Sequence, residues 1–139
     1  MGLFDMFKTD GAQTMTPKMA LAAGLIYMMS ADGNVEEEEI GQLVSVLGGD
    51  RAALDNAVKY VRKNNVDHFL QSVPSLLSEP QKRCILINLC DSLLADGAAA
   101  QEEQRLFGRF LTAFGFSEEA FRPYFETIAI KNDKTVFQT

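Results

Sequence analysis

Apolar residues along the chain recur at the three- and four-residue spacings of a helix face, and no segment shows convincing alternation of period two. Thr16 and Pro17 form a helix start, a capping side chain followed by proline at the first helical position. Leu21, Ala22, Leu25, Ile26, Met28 and Met29 then leave almost no polar face before Asp32 and Gly33, so this helix is expected at the centre, enclosed by others. Gly33 is a natural terminator. A second helix carries Ile40, Leu43, Val44 and Leu47 and ends at Gly48 and Gly49. Asp50 caps a third, with Leu54, Ala57, Val58 and Val61 as its apolar stripe and Asn64 and Asn65 as its stop. Asp67 opens a short fourth helix bearing Phe69, Leu70, Val73, Leu76 and Leu77, which Pro74 should kink or shorten.

The second half repeats the style. Ser78 and Gln81 are spaced as a capping box for a fifth helix, apolar nearly all round from Ile85 to Leu94 and ending at Asp96 and Gly97. Phe107, Phe110, Leu111 and Phe114 stripe a sixth that stops at Gly115. Ser117 caps a seventh, with Glu118 and Glu119 where the helix dipole favours acids, and Pro123 is expected to divide it. The pattern predicts an all-α fold, a compact bundle of about seven helices. Its expected limits are a mobile arm at 1–15, the domain at 16–131 and a loose tail at 132–139. Within the arm, Leu3, Phe4 and Phe7 would share one face of a short helix, either a docking arm for a membrane or partner or a terminus lying on the domain.

Composition narrows the chemistry. A chain of 139 residues makes one domain that buries about 68–70% of its unfolded surface, and 47% hydrophobic residues suit a globular protein. Thirteen Lys and Arg against nineteen Asp and Glu give a net charge of −6, which argues against nucleic acid as a partner. No apolar run is long enough for a transmembrane segment, and the simplest address is the cytoplasm. Cys84 and Cys90 fall on one helix, about 9 Å apart along its axis, too far for a disulfide. His68 is the single histidine, expected at a helix start or on the surface. A histidine-rich zinc site is thereby excluded, and classical triad catalysis has little to work with.

Ala31-Asp32-Gly33 returns as Ala95-Asp96-Gly97, 64 residues on, and at that offset Glu38 and Glu39 match Glu102 and Glu103. Beyond them the apolar stripe fits better at an offset of 67, which a one-turn slip in the second helix would reconcile. Two helix-turn-helix units related by a pseudo-twofold axis are the economical picture. Asp32 and Asp96 each follow a helix C-terminus, where a carboxylate opposes the dipole. About a twofold axis, Asp32, Glu39, Asp96 and Glu103 would converge, with Glu36, Glu38 and Glu102 as additional acidic contacts. Clustered carboxylates repel one another, and a hard divalent ion such as Ca²⁺, Mg²⁺ or Mn²⁺ relieves the repulsion. The bland alternative is that Glu36 to Glu39 simply open a helix, where acids need no ligand. Neither turn is an EF-hand: with Gly33 at loop position 6, Asp32 and Glu39 fit positions 5 and 12, but Met28 and Ser30 take positions 1 and 3.

Two Ala-Asp-Gly turns, each with Glu seven residues after the Asp, in an all-helical chain of this length resemble the TerB-like tellurite-resistance family over roughly residues 16–131. The Gly-Leu-Phe-Asp opening is also similar to that of several bacterial stress-response proteins. The resemblance implies a bundle of about seven helices with an acidic, metal-binding face at Asp32, Glu39, Asp96 and Glu103. It further implies a role in resistance to tellurite and other stresses, and a protein partner in membrane-linked assemblies, peripheral to the inner membrane. Ala98, Ala99 and Ala100 depart from the pattern, being apolar where polar or capping residues are usual. The reading that follows is a non-enzymatic acidic domain that binds a divalent cation, needs no organic cofactor and couples to a protein partner. A metal-independent interaction module is the alternative, and a carboxylate-bridged metal hydrolase ranks third, for want of a general base with a histidine partner and of a Gly-rich phosphate loop.

Overall fold

A computed structural model describes residues 14–31, 37–95 and 100–138, and of 37–39 the backbone alone. Among these residues the chain forms seven α-helices and no strand. They are α1 (Pro17–Met29), α2 (Glu37–Val46), α3 (Arg51–Lys63), α4 (Val66–Ser72), α5 (Glu79–Leu94), α6 (Gln101–Ala113) and α7 (Glu118–Asn132). Short 3₁₀ turns lie at Pro74–Leu76 and Thr135–Phe137. The starts are set by local chemistry. Thr16 Oγ1 accepts the Met19 N–H at 3.2 Å, Asp50 Oδ1 that of Ala53 at 3.0 Å, and Ser117 Oγ that of Ala120 at 3.0 Å. Ser78 and Gln81 make the expected reciprocal box, at 3.3 and 2.8 Å.

Three local expectations are corrected. Asn65, not Asp67, caps α4: its Oδ1 accepts the His68 N–H at 2.9 Å, while Asp67 sits inside the first turn and pairs with Arg109 of α6. Pro74 does shorten α4, but Leu76 then falls in the 3₁₀ turn and stands 57% exposed, off the apolar stripe. Pro123 does not divide α7, which runs on to Asn132. Proline there removes one amide bond to the Glu119 carbonyl, and both positions are exposed, so water can take that carbonyl's place as partner.

The first helix is central, as its lack of a polar face predicted. α1 packs against α3, α5, α6 and α2, and Ala20, Ala22, Ala23 and Met28 are fully buried. Small residues let neighbours come close: a Cβ on Gly24 would stand 3.6 Å from both Leu89 of α5 and Phe110 of α6. α5 packs against α1, α7 and α6 through Ile85, Leu86, Leu89, Cys90 and Leu93. It is less enclosed than expected, since Cys84 is exposed, one turn before the half-buried Asn88. Burial pushes the Cys90 thiol up to about 11, with the nearby Asp91 charge adding to the effect.

Aromatic rings fill the space between α1, α4 and α6. Phe69, fully buried, has Tyr27 at 5.5 Å, Phe110 at 5.8 Å and Tyr60 at 6.2 Å between ring centroids. The Tyr27 hydroxyl donates to the Asn64 carbonyl at 2.6 Å, tying the end of α1 to the α3–α4 junction. A Cβ on Gly108 of α6 would meet nothing within 4 Å, so this glycine serves no close approach among the described residues. Gly108→Ala is therefore expected to stabilise the fold by about 0.5–1 kcal/mol. A lower thermal midpoint for that variant would contradict the open space seen here.

Candidate functional site

The end of α1 and the residue following α5 meet. Met29 and Ala95 line one cleft of about 320 Å³, whose other walls are Gln42, Leu43, Ser45 and Val46 of α2 and Lys131 and Asn132 of α7. In each helix these are the residues of the C-terminal end, so the negative ends of four helix dipoles gather around one space. Met29 and Val46 give the cleft apolar surface above the buried Leu25 and Leu43, and Asn88, Asp91 and Ser92 of α5 give it polar groups.

Asp91 and Lys131 form the charged pair of this cleft. The Lys131 ammonium donates to Asp91 Oδ1 at 3.0 Å and Oδ2 at 3.2 Å, and the Asn132 amide donates to Oδ1 at 2.9 Å. Partial burial pushes the Asp91 carboxyl upward, but the Asn132 hydrogen bond and the Lys131 ammonium outweigh it, leaving the group below its ordinary value. A depressed folded-state value means a contribution to stability that is present above about pH 4 and lost as the pH falls through the folded value. Asp91→Asn should therefore reduce the drop in thermal midpoint between pH 7 and pH 3. An unchanged drop would show that this carboxylate contributes nothing to acid sensitivity.

The residues singled out by the repeat are placed unevenly. Asp32, Glu36 and Asp96 lie outside the described residues, as do Leu3, Phe4 and Phe7 and the side chains of Glu38 and Glu39. Glu102 is exposed in the first turn of α6. Glu103 is half-buried, and its Oε1 accepts the Ala100 N–H at 3.3 Å. It thus performs the glutamate half of a capping box whose other half is missing, because Ala100 has no side-chain acceptor. Among the described residues no three His, Cys, Asp or Glu side chains come together as a metal-binding group.

His68 does not line the cleft, its ring lying tilted 6.2 Å from that of Tyr60 between centroids, and the buried Cys90 is held as a thiol. By their composition the two Asp-Gly sequences would offer carboxylate and backbone carbonyl oxygen, a donor set that fits hard divalent ions. Asp91, Lys131 and Asn132 escaped the sequence reading. One signal was present: Asp91 is the single charge in the apolar stretch 85–95, and a charge among apolar neighbours requires a partner. Nothing local pointed to Lys131, forty residues away.

A second groove, about 440 Å³, runs between α6 and α7 over Phe107, Leu111, Phe121 and Phe125, rimmed by Glu118, Arg122 and Glu126. No helix among the described residues is long and apolar enough to cross a membrane. Comparison with curated proteins finds no match, and comparison with solved structures finds none. The family model described as Tellurite resistance protein TerB matches residues 18–124, from the first turn of α1 into α7. That span takes in both Asp-Gly turns and most of the chain. The chain belongs to the TerB family of tellurite resistance proteins.

Proposed function

We propose that this domain works without chemistry of its own, by binding a divalent cation at its paired Asp-Gly turns and coupling that state to a protein partner. Asp32, Glu39, Asp96 and Glu103 would hold the ion, whose charge offsets their mutual repulsion. The observation that supports this reading most is the meeting of the α1 and α5 ends at one cleft, because each end leads within three residues to its aspartate. Two turns that leave the same end of a bundle can present their acids to one ion. The gathered helix C-termini favour positive charge in the same region.

Thermal melting tests the proposal. The protein is melted with chelator, then with Ca²⁺, Mg²⁺ or Mn²⁺ at millimolar concentration, and at least one ion should raise the midpoint. A midpoint indifferent to all of them ends the cation reading. One observation favours the alternative, a metal-independent interaction module: Glu103 is already engaged in capping α6 and would have to leave the Ala100 amide to serve an ion.

A further inference from the structure

We infer that the cleft between the ends of α1, α2, α5 and α7 is a docking slot for a lysine or arginine side chain presented by a basic protein segment. A long cationic side chain needs apolar walls for its stem and a negative environment for its head. Both are here. Met29 and Val46 supply the walls, while the C-termini of α1, α2 and α5 and Asp91 supply the field, the α7 end being already capped by the Lys134 ammonium on the Lys131 carbonyl at 2.8 Å. The chain carries its own precedent: Lys131 sets its ammonium against both oxygens of Asp91 at 3.0 and 3.2 Å. Lys131 is 63% exposed, so it lies at the mouth and does not fill the space behind it. The cleft volume of about 320 Å³ is at the small end for a ligand site, the scale of a side chain or two rather than a cofactor. A net charge of −6 draws a basic segment in from a distance.

The inference deepens the partner half of the proposed function and rests on it, but it does not depend on whether a divalent ion binds. In it Lys131 is a resident competitor: it must yield Asp91 to the incoming cation, and so it sets the affinity of the slot.

Fluorescence anisotropy of a labelled hexalysine peptide with the full chain tests this, at low salt and at 150 mM. Lys131→Met should tighten binding about fivefold and Asp91→Asn should weaken it about fivefold, the scale of one partly exposed ion pair. Lys59→Met and Asp55→Asn make the same charge changes on α3, outside the cleft, and should each move the affinity less than twofold. If Asp91→Asn lowers the melting point, Lys131→Met against Lys59→Met carries the comparison alone. Equal shifts for the cleft and α3 variants would overturn the slot and leave the partner reading standing, since binding would be general attraction. No binding at either salt concentration would overturn the slot and a basic partner together.

Discussion

Phe69→Ala is expected to destabilise the protein by about 3–5 kcal/mol, measured by denaturant or thermal unfolding. Phe69 is the ring on which three others converge: Tyr27 from α1, Tyr60 from α3 and Phe110 from α6. It sits on a helix of only seven residues, too short to persist alone in water, so α4 holds its place by what it buries. Truncation removes the transfer free energy of the ring and leaves a cavity between helices that cannot all close on it. The Arg109–Asp67 pair, half exposed on both sides, is too weak to keep α4 in place by itself. A loss below about 1 kcal/mol would show that α4 is a surface appendage and that the core lies elsewhere.

On the proposed cation reading, replacing Asp32 and Asp96 together by Asn should abolish any stabilisation by a divalent ion. An ion present at 100 times its dissociation constant adds about 2.7 kcal/mol to the folded state, roughly 8 °C in thermal midpoint for a domain of this size. In the sequence the two aspartates come within three residues of the ends of α1 and α5, where a negative charge would oppose the dipole by about 0.3–1 kcal/mol. The double variant should therefore be at least as stable as the parent in chelator, yet indifferent to added ions. That pairing of results separates ligands from bystanders. If the variant still responds to the ion as the parent does, these aspartates are not its ligands.

The parts of the fold that could be read from the sequence are those decided within a few residues. Thr16, Asp50, Ser78 and Ser117 cap as expected because a cap is a contact across three residues, and α1 is central because it offers solvent no polar face. The fourth helix shows where such reading fails. Asn65 and Asp67 are both able caps two residues apart, and what separates them is Arg109, forty-two residues on, which engages Asp67. Pro123 stays inside an unbroken helix for a related reason. The cost of a proline inside a helix depends on whether the freed carbonyl can reach water, which is a property of the surface rather than of the segment. At the candidate site the sequence carries Ala-Asp-Gly twice, the Asp and Gly of each lying outside the described residues. The cleft was not legible in the sequence, because it is made by the ends of four helices and by an ion pair spanning forty residues.

The two cysteines of α5 turn this helix into a gauge of how often the protein opens. Cys84 meets solvent in the folded state, whereas Cys90, six residues along, is wholly covered and kept as the unreactive thiol. A thiol reagent at neutral pH thus modifies Cys84 at a rate set by the reagent. It reaches Cys90 only when α5 parts from α1 and α7, so the second rate divided by the first counts those openings. Both reporters share one helix and one solution. The ratio therefore cancels differences in reagent and buffer, and it allows the opening frequency of variants to be compared in a cell extract, where optical unfolding signals are lost.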